Sequence, residues 1–425
     1  MMTKLALFAL ALFVAVPLAQ VPQKEPPREW IDPDTGHRVV RLSDEPGSRS
    51  LYFHQNAYTP DGARLIITTP TGLATINLKT RAIEKMVEGR VNLIMTGRKT
   101  GQAYYVRMDT VYAVDLDTKV SREIAKLPSH GSIATVNSDE TLLAGTITAG
   151  AVPTAPEAQP RDTGASTNTN TNGGPQRRPD SYPGKAGMME RRLAARLPMQ
   201  LFVVNAKTGE VKTILRSTDW LNHLQFSPTD PTLLMFCHEG PWHKVDRTWT
   251  IRTDGTGLTQ IHRRTMNMEI EGHEFFGGDG RQIWYDLQTP RSEVFWLAGY
   301  ELATGRRTWY HLERSEWSVH FNQSPDGKLF AGDGGGPSSV AAPGNGQWIY
   351  LFRPQLVPDR TDHALPYSKD LIQPGILKAE KLVNLARHDY SLEPNVTFTP
   401  DMRWIVFRSN MFGPTHVFAV EVNKE

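Results

Sequence analysis

The chain has 425 residues with 47 basic and 45 acidic side chains, a net charge of +2, so no global field points to nucleic acid or a membrane surface as a partner. Its one cysteine, Cys237, excludes an internal disulfide framework, and stability must come from core burial, for which a chain this long suffices.

Met1 to Ala19 reads as a secretory signal: Lys4 supplies the charge, Leu5 to Val16 the apolar run, and Pro17-Leu-Ala19 a small-residue cleavage site. That run is shorter than the roughly 20 residues of a spanning helix. The expectation is an exported protein, periplasmic or secreted, without membrane insertion. Residues 20–29 read as a flexible leader.

From Trp30 onward short β-branched and aromatic runs alternate with Gly, Pro, Asp and Asn turns, which predicts an all-β domain over residues 30–425. Units of about 40 residues, the size of a four-stranded propeller blade, run over 51–88, 90–127, 131–215, 221–262, 271–312, 318–386 and 394–423. The last is one strand short. Arg38-Val-Val-Arg-Leu42 is placed to complete it, giving a seven-bladed β-propeller closed by an N-terminal strand, which also covers an otherwise open edge. Residues 151–187 are rich in Pro, Thr, Asn and Gly and poor in large apolar residues, so a mobile insertion in the third blade is expected there. A short basic helix is expected over Met188 to Leu197, packing through Leu193 and Leu197 or acting as a lid over an acidic ligand.

The stretch from Glu316 to Gly335 sets the pattern for the candidate site. His320 lies five residues ahead of the turn proline in Pro325-Asp-Gly327. Gln55, His223, His273 and Asn395 hold the same place ahead of the turns at Pro60, Pro228, Gly278 and Pro400. Equivalent positions near the axis of a radial repeat converge, so three imidazoles and two amides form a ring. A lone histidine at such a position also serves as a hydrogen-bond strut between strands; recurrence of three in register favours a site. For His54 and His130 the strut is the preferred reading.

Two stretches thicken around the ring: Cys237-His238-Glu-Gly-Pro-Trp242-His through Arg247, and Arg387-His388-Asp-Tyr390-Ser-Leu-Glu393-Pro-Asn395. Their His, Glu, Asp and Asn side chains suit a borderline or hard divalent cation, Mn²⁺, Zn²⁺ or Ca²⁺.

His238-Glu-Gly-Pro, Val245-Asp-Arg247-x-Trp249, Gly272-His273-Glu-Phe275, His320 ahead of Gly332-Asp-Gly334, Thr397-Phe-Thr-Pro400 and the opening Trp30-Ile-Asp-Pro-Asp-Thr-Gly36 occur together in one order. In this the chain resembles the oligogalacturonate lyase family. The resemblance implies a seven-bladed propeller that cleaves short α-1,4-linked galacturonate oligomers by β-elimination with a divalent metal, typically Mn²⁺. It places the base at His273, a supporting arginine at Arg247 and a metal ligand at His320. The family carries a Gln and a His-Pro-His where this chain has Tyr390 and Glu393-Pro-Asn395, so Glu393, Asn395 and the nearby His388 stand as the remaining candidate ligands, a harder set. His223, His238, Gln323 and Trp242 are candidate substrate contacts.

The residue types suit that chemistry. Removing the C5 proton of a uronate builds charge on its carboxylate, which calls for a cation there and a base near neutral pKa. Two other classes compete: an exported propeller that binds glycan or protein without catalysis, and a glycosidase, which needs paired carboxylates across the bond.

Overall fold

The computed structural model describes residues 25–150, 185–337, 339, 342, 344–360 and 365–424. The signal at 1–19, the leader up to residue 24 and residues 151–184 of the expected insertion lie outside the described residues.

The described chain forms six hydrogen-bonded sheets. The largest, of eight strands, consists of two antiparallel groups of four joined edge to edge, so the chain makes seven groups in sequence order. They follow the predicted units. Blade one has strands Arg64–Thr69, Gly72–Asn77 and Ile83–Glu88, with a bridge from Tyr58 to Leu65 standing in for an innermost strand. The innermost strands of the next four blades are Asn92–Thr96, Gly131–Val136, Trp220–Phe226 and Ile270–Phe276. Those of blades six and seven are the short Phe321–Gln323 and Thr397–Phe398. Innermost strands touch in succession from blade two to blade five, and again between blades six and seven.

The closure has the expected form: Arg38–Arg41 pairs antiparallel with His416–Glu421, Val39 opposite Val420. A further strand, Glu29–Ile31, pairs outside it, so the last blade has five strands. Of the leader read as flexible, residues 25–29 are tied down by this edge: the Arg41 guanidinium donates to Pro26 O at 2.9 Å and pairs with Glu25 at 2.5 Å. Blades five and six join where Arg307–Leu312 runs parallel to Gln373–Asn384, Thr308 opposite Gln373.

The cores between blades differ in kind. Blades one to three share a mainly aliphatic cluster built on Leu65, Ile67, Val111, Val114 and Leu143. Blades five and six share an aromatic one, with Phe275, Trp284, Trp317, Phe321 and Phe352 fully or almost fully buried. The helix observed near the insertion is Lys185–Ala195, and its buried residue is Met189, with Leu193 and Leu197 only half-buried. Arg192 lies 4.1 Å over the Trp220 ring and Glu190 pairs with Lys244, which docks the helix on blade four.

Candidate active site at the ring of histidines

Each innermost strand of blades two to five carries one extra residue against its partner strand. Such a bulge re-aims a side chain that regular pleating would point into the inter-blade core. In blades four and five the first bulged residue is His223 or His273, with φ of 50° and 48°. That left-handed conformation is uncommon for a residue with a β-carbon, and it is held by the paired residues on either side. Asn395 shares it, at φ 54°.

Three of the five ring positions bring imidazoles together. The His273 and His320 rings lie 4.9 Å apart and edge to face, and Tyr52 joins His320 to His223 with centroid distances of 5.1 and 6.2 Å. Each of the two facing histidines is seated on a buried aspartate from the second strand or the loop after it. His273 Nδ1 is 2.9 Å from Asp286 Oδ1, and His320 Nδ1 is 2.7 Å from Asp333 Oδ2. An N–H donated from Nδ1 to a carboxylate leaves Nε2 as the acceptor facing the site. Nε2 of His320 lies 3.2 Å from the Tyr52 hydroxyl and 3.7 Å from the Glu393 carboxylate. Asp333 stays ionised: burial works against its charge, but His320 and the backbone N–H groups of His320 and Asn395 outweigh it. The turn after it needs Gly334, at φ 65°, where a Cβ would stand 2.4 Å from Gly346 O.

The second half of the site is a charged cluster under His223. Arg247, 4% exposed, donates from Nε to Glu274 at 2.9 Å and from Nη2 to Glu239 at 3.3 Å. His223 stands between the same carboxylates, 3.4 Å from Glu239 and 3.8 Å from Glu274. Burial alone would raise the Glu274 carboxyl; Arg247 and His223 instead hold it down at about 2. Arg247 Nη1 and Glu274 Oε1 are buried without a hydrogen-bond partner. A buried orphan donor costs about 1–3 kcal/mol unless a water or a ligand meets it. Tyr52 ties the halves together: burial, then Glu393 and Glu274, push its hydroxyl well above the ordinary phenol range, and it stays protonated.

The remaining predicted residues are placed elsewhere or otherwise engaged. Both ring nitrogens of buried His388 are occupied, Nδ1 with Ser409 Oγ at 2.9 Å and Nε2 with Leu392 O at 2.7 Å. The Asn395 amide is used as well, its oxygen accepting from Phe53 N at 3.1 Å and its nitrogen donating to Glu393 O. Gln55 accepts from Tyr52 N. These three are the struts that fix the walls. His238 follows the pleat away from Glu239 and rests against Trp249, ring centroids 5.2 Å apart. Trp242 lies under Arg291. Gln323 closes its own turn on Gly327 O and lines a cavity of about 340 Å³ at the Pro-Asp-Gly end of the axis.

His54, read as a strut, stands in the ring instead, its pKa pushed down to about 3 by burial and then by the nearby His223. Asp286, Asp333 and Tyr52 were not read from the sequence. A signal for the aspartates existed: each follows its histidine by 13 residues.

The profile of the oligogalacturonate lyase family matches residues 194–425, more than half of the chain. Oligogalacturonate lyase from Dickeya dadantii is 25% identical over 92% of this chain and 95% of its own length. Oligogalacturonide lyase from Pectobacterium atrosepticum is 27% identical over 52% of this chain and 55% of its own. Among solved structures, an oligogalacturonate lyase in complex with manganese superposes with a TM-score of 0.71 at 22% identity, covering 93% of this chain and 96% of that one. The oligogalacturonate lyase from Vibrio parahaemolyticus gives the same TM-score at 21% identity, with the same coverage. The propeller fold is thus shared, and the chain is a polysaccharide lyase that belongs to the oligogalacturonate lyase family.

Proposed function

We propose that the protein cleaves short galacturonate oligomers by β-elimination in the ring of histidines, with His273 as base. The observation that carries this reading is the His273–Asp286 pair set beside a buried Arg247 whose Nη1 has no partner. Asp286 accepts a hydrogen bond from the His273 Nδ1–H, so Nε2 presents a lone pair for the C5 proton of the sugar. The charge released on removal of that proton moves onto the uronate carboxylate. Arg247 is the fixed, always charged donor for it, and it acts from a site where little water screens the interaction. Tyr52, held protonated in the same cluster, is the O–H available to the leaving oxygen. The acidic oligosaccharide partner belongs to the same proposal, its carboxylates met by the imidazoles and by Arg247, whose charge Glu239 and Glu274 share.

A divalent cation, Mn²⁺ first, belongs to the proposal because of the manganese-bound relative in fold. The residues expected to hold it do not fit as a set. His388 and Asn395 are fully engaged, which leaves His320 Nε2 and the half-exposed Glu393 carboxylate, 3.7 Å apart. No step above is routed through an ion.

The test is direct: purified protein is mixed with trigalacturonate and the absorbance of an unsaturated uronate is followed in the ultraviolet. A steady rise supports the lyase. No rise between about pH 5 and 9, with or without added Mn²⁺, would leave a propeller that binds without cleaving.

A further inference from the structure

A different set of donors converges one strand away. His223 Nε2, Cys237 Sγ and the Glu239 carboxylate all lie within 4.8 Å of one another, the one group of three His, Cys, Asp or Glu ligand atoms that close among the described residues. We propose that this cluster in blade four is a site for a borderline or soft divalent cation, of which zinc is the type.

Geometry is the first argument. Ligands about 2.0–2.3 Å from a tetrahedral zinc ion stand roughly 3.3–3.8 Å from one another. The Glu239 oxygen is 3.4 Å from His223 Nε2 and 3.9 Å from Cys237 Sγ, so little movement is needed to close three corners. A thiolate, an imidazole and a carboxylate form a ligand mixture that selects zinc over calcium or magnesium. The second argument is independent of spacing. Glu274 Oε1, fully buried and without a hydrogen-bond partner, lies 3.8 Å from the other nitrogen of His223. It is an unused acceptor at the edge of the cluster. Charge closes once the Cys237 proton is released to solvent on binding: the thiolate with the Glu239 and Glu274 carboxylates then balances Arg247 plus one divalent ion.

The ion would also change Arg247. Its Nη2 is now held at 3.3 Å by the Glu239 oxygen that the ion would take, and its Nη1 has no partner. Loading the site turns Arg247 into a two-pronged donor for a substrate carboxylate. This consequence, unlike the site itself, rests on the lyase reading.

The experiment uses the full chain, stripped with chelator and titrated with Co²⁺ without oxygen. Because Cys237 is the chain's single thiol, any thiolate-to-cobalt charge-transfer band reports this site alone. One equivalent of Co²⁺ should raise the band and one equivalent of Zn²⁺ should abolish it. Cys237→Ser should lose the band and weaken uptake at least tenfold, whereas Glu393→Gln should keep both. A folded wild-type protein that takes up cobalt without the band, or takes up none, overturns the proposal. So does uptake that is lost in Glu393→Gln and kept in Cys237→Ser. No substrate enters the titration, so its failure and a failure of the lyase assay are separate results.

Discussion

Blades two and three and blades four and five share one strand plan and one register shift, yet only the second pair presents ionisable side chains at it. In blade two the bulge presents Leu93 and Ile94, and in blade three Ile133 and Ala134. In blades four and five the same two places hold His223 and Leu224, then His273 and Glu274. The register shift is therefore a property of the repeat, while among these four blades the left-handed backbone and the imidazole occur at it only in blades four and five. The cores divide differently: mainly aliphatic under blades two and three and, around Leu221, Leu234 and Ile251, under blade four, but aromatic under blade five, which shares its cluster with blade six. Large rigid rings lose little rotamer freedom on burial and fix what packs on them.

The widest separation between the two halves should come from His273→Ala, with turnover on trigalacturonate falling roughly 10²–10⁴-fold while thermal stability holds. Wild-type turnover in this variant would remove the base from the active half. Arg247→Lys should come next, with kcat/KM down on the order of 10²-fold, since a point charge cannot serve Glu274, Glu239 and a substrate carboxylate together. Retention of most activity would show that Arg247 serves stability alone.

A third measurement concerns Glu271, under the active half. Burial pushes this carboxyl up, to about 7 from the usual 4.5, and Thr248 donates to it. The folded state then binds a proton that the unfolded state has released, so stability falls as pH rises from about 4.5 to about 7. Glu271→Gln should flatten the fall in melting temperature over that window. An unchanged slope would refute the assignment. The smallest effect belongs to the silent half. Tyr104 donates to Glu140 at 2.8 Å in blade two, so Tyr104→Phe should cost about 1 kcal/mol in denaturant unfolding. Turnover should not change, and a loss of turnover would break the comparison.

The blade plan, the closing strand and the convergence of three histidines were legible because turns punctuate the chain at fixed offsets and the last unit lacks a strand. The partners of the histidines were not. Asp286 and Asp333 become neighbours of His273 and His320 only through cross-strand register, which one residue of slippage would undo. Spacing alone also could not tell the imidazole that acts from the imidazole that props. His388 has the composition of a ligand and the hydrogen bonds of a strut, because Ser409 reaches it from a strand that sequence does not place beside it, and its own loop turns the Leu392 carbonyl back onto Nε2.

The edge-to-edge joint between Thr308–His311 and Gln373–Ile376 has a mechanical meaning. Among the described residues neighbouring blades elsewhere meet mostly through side chains, with single main-chain bonds such as Thr96 N to Asn56 O, whereas this joint is a ladder that cannot shear without breaking several main-chain hydrogen bonds. Shear between blades five and six is therefore opposed by main-chain bonds at their outer edges, and these are the two blades that bring His273 and His320 together.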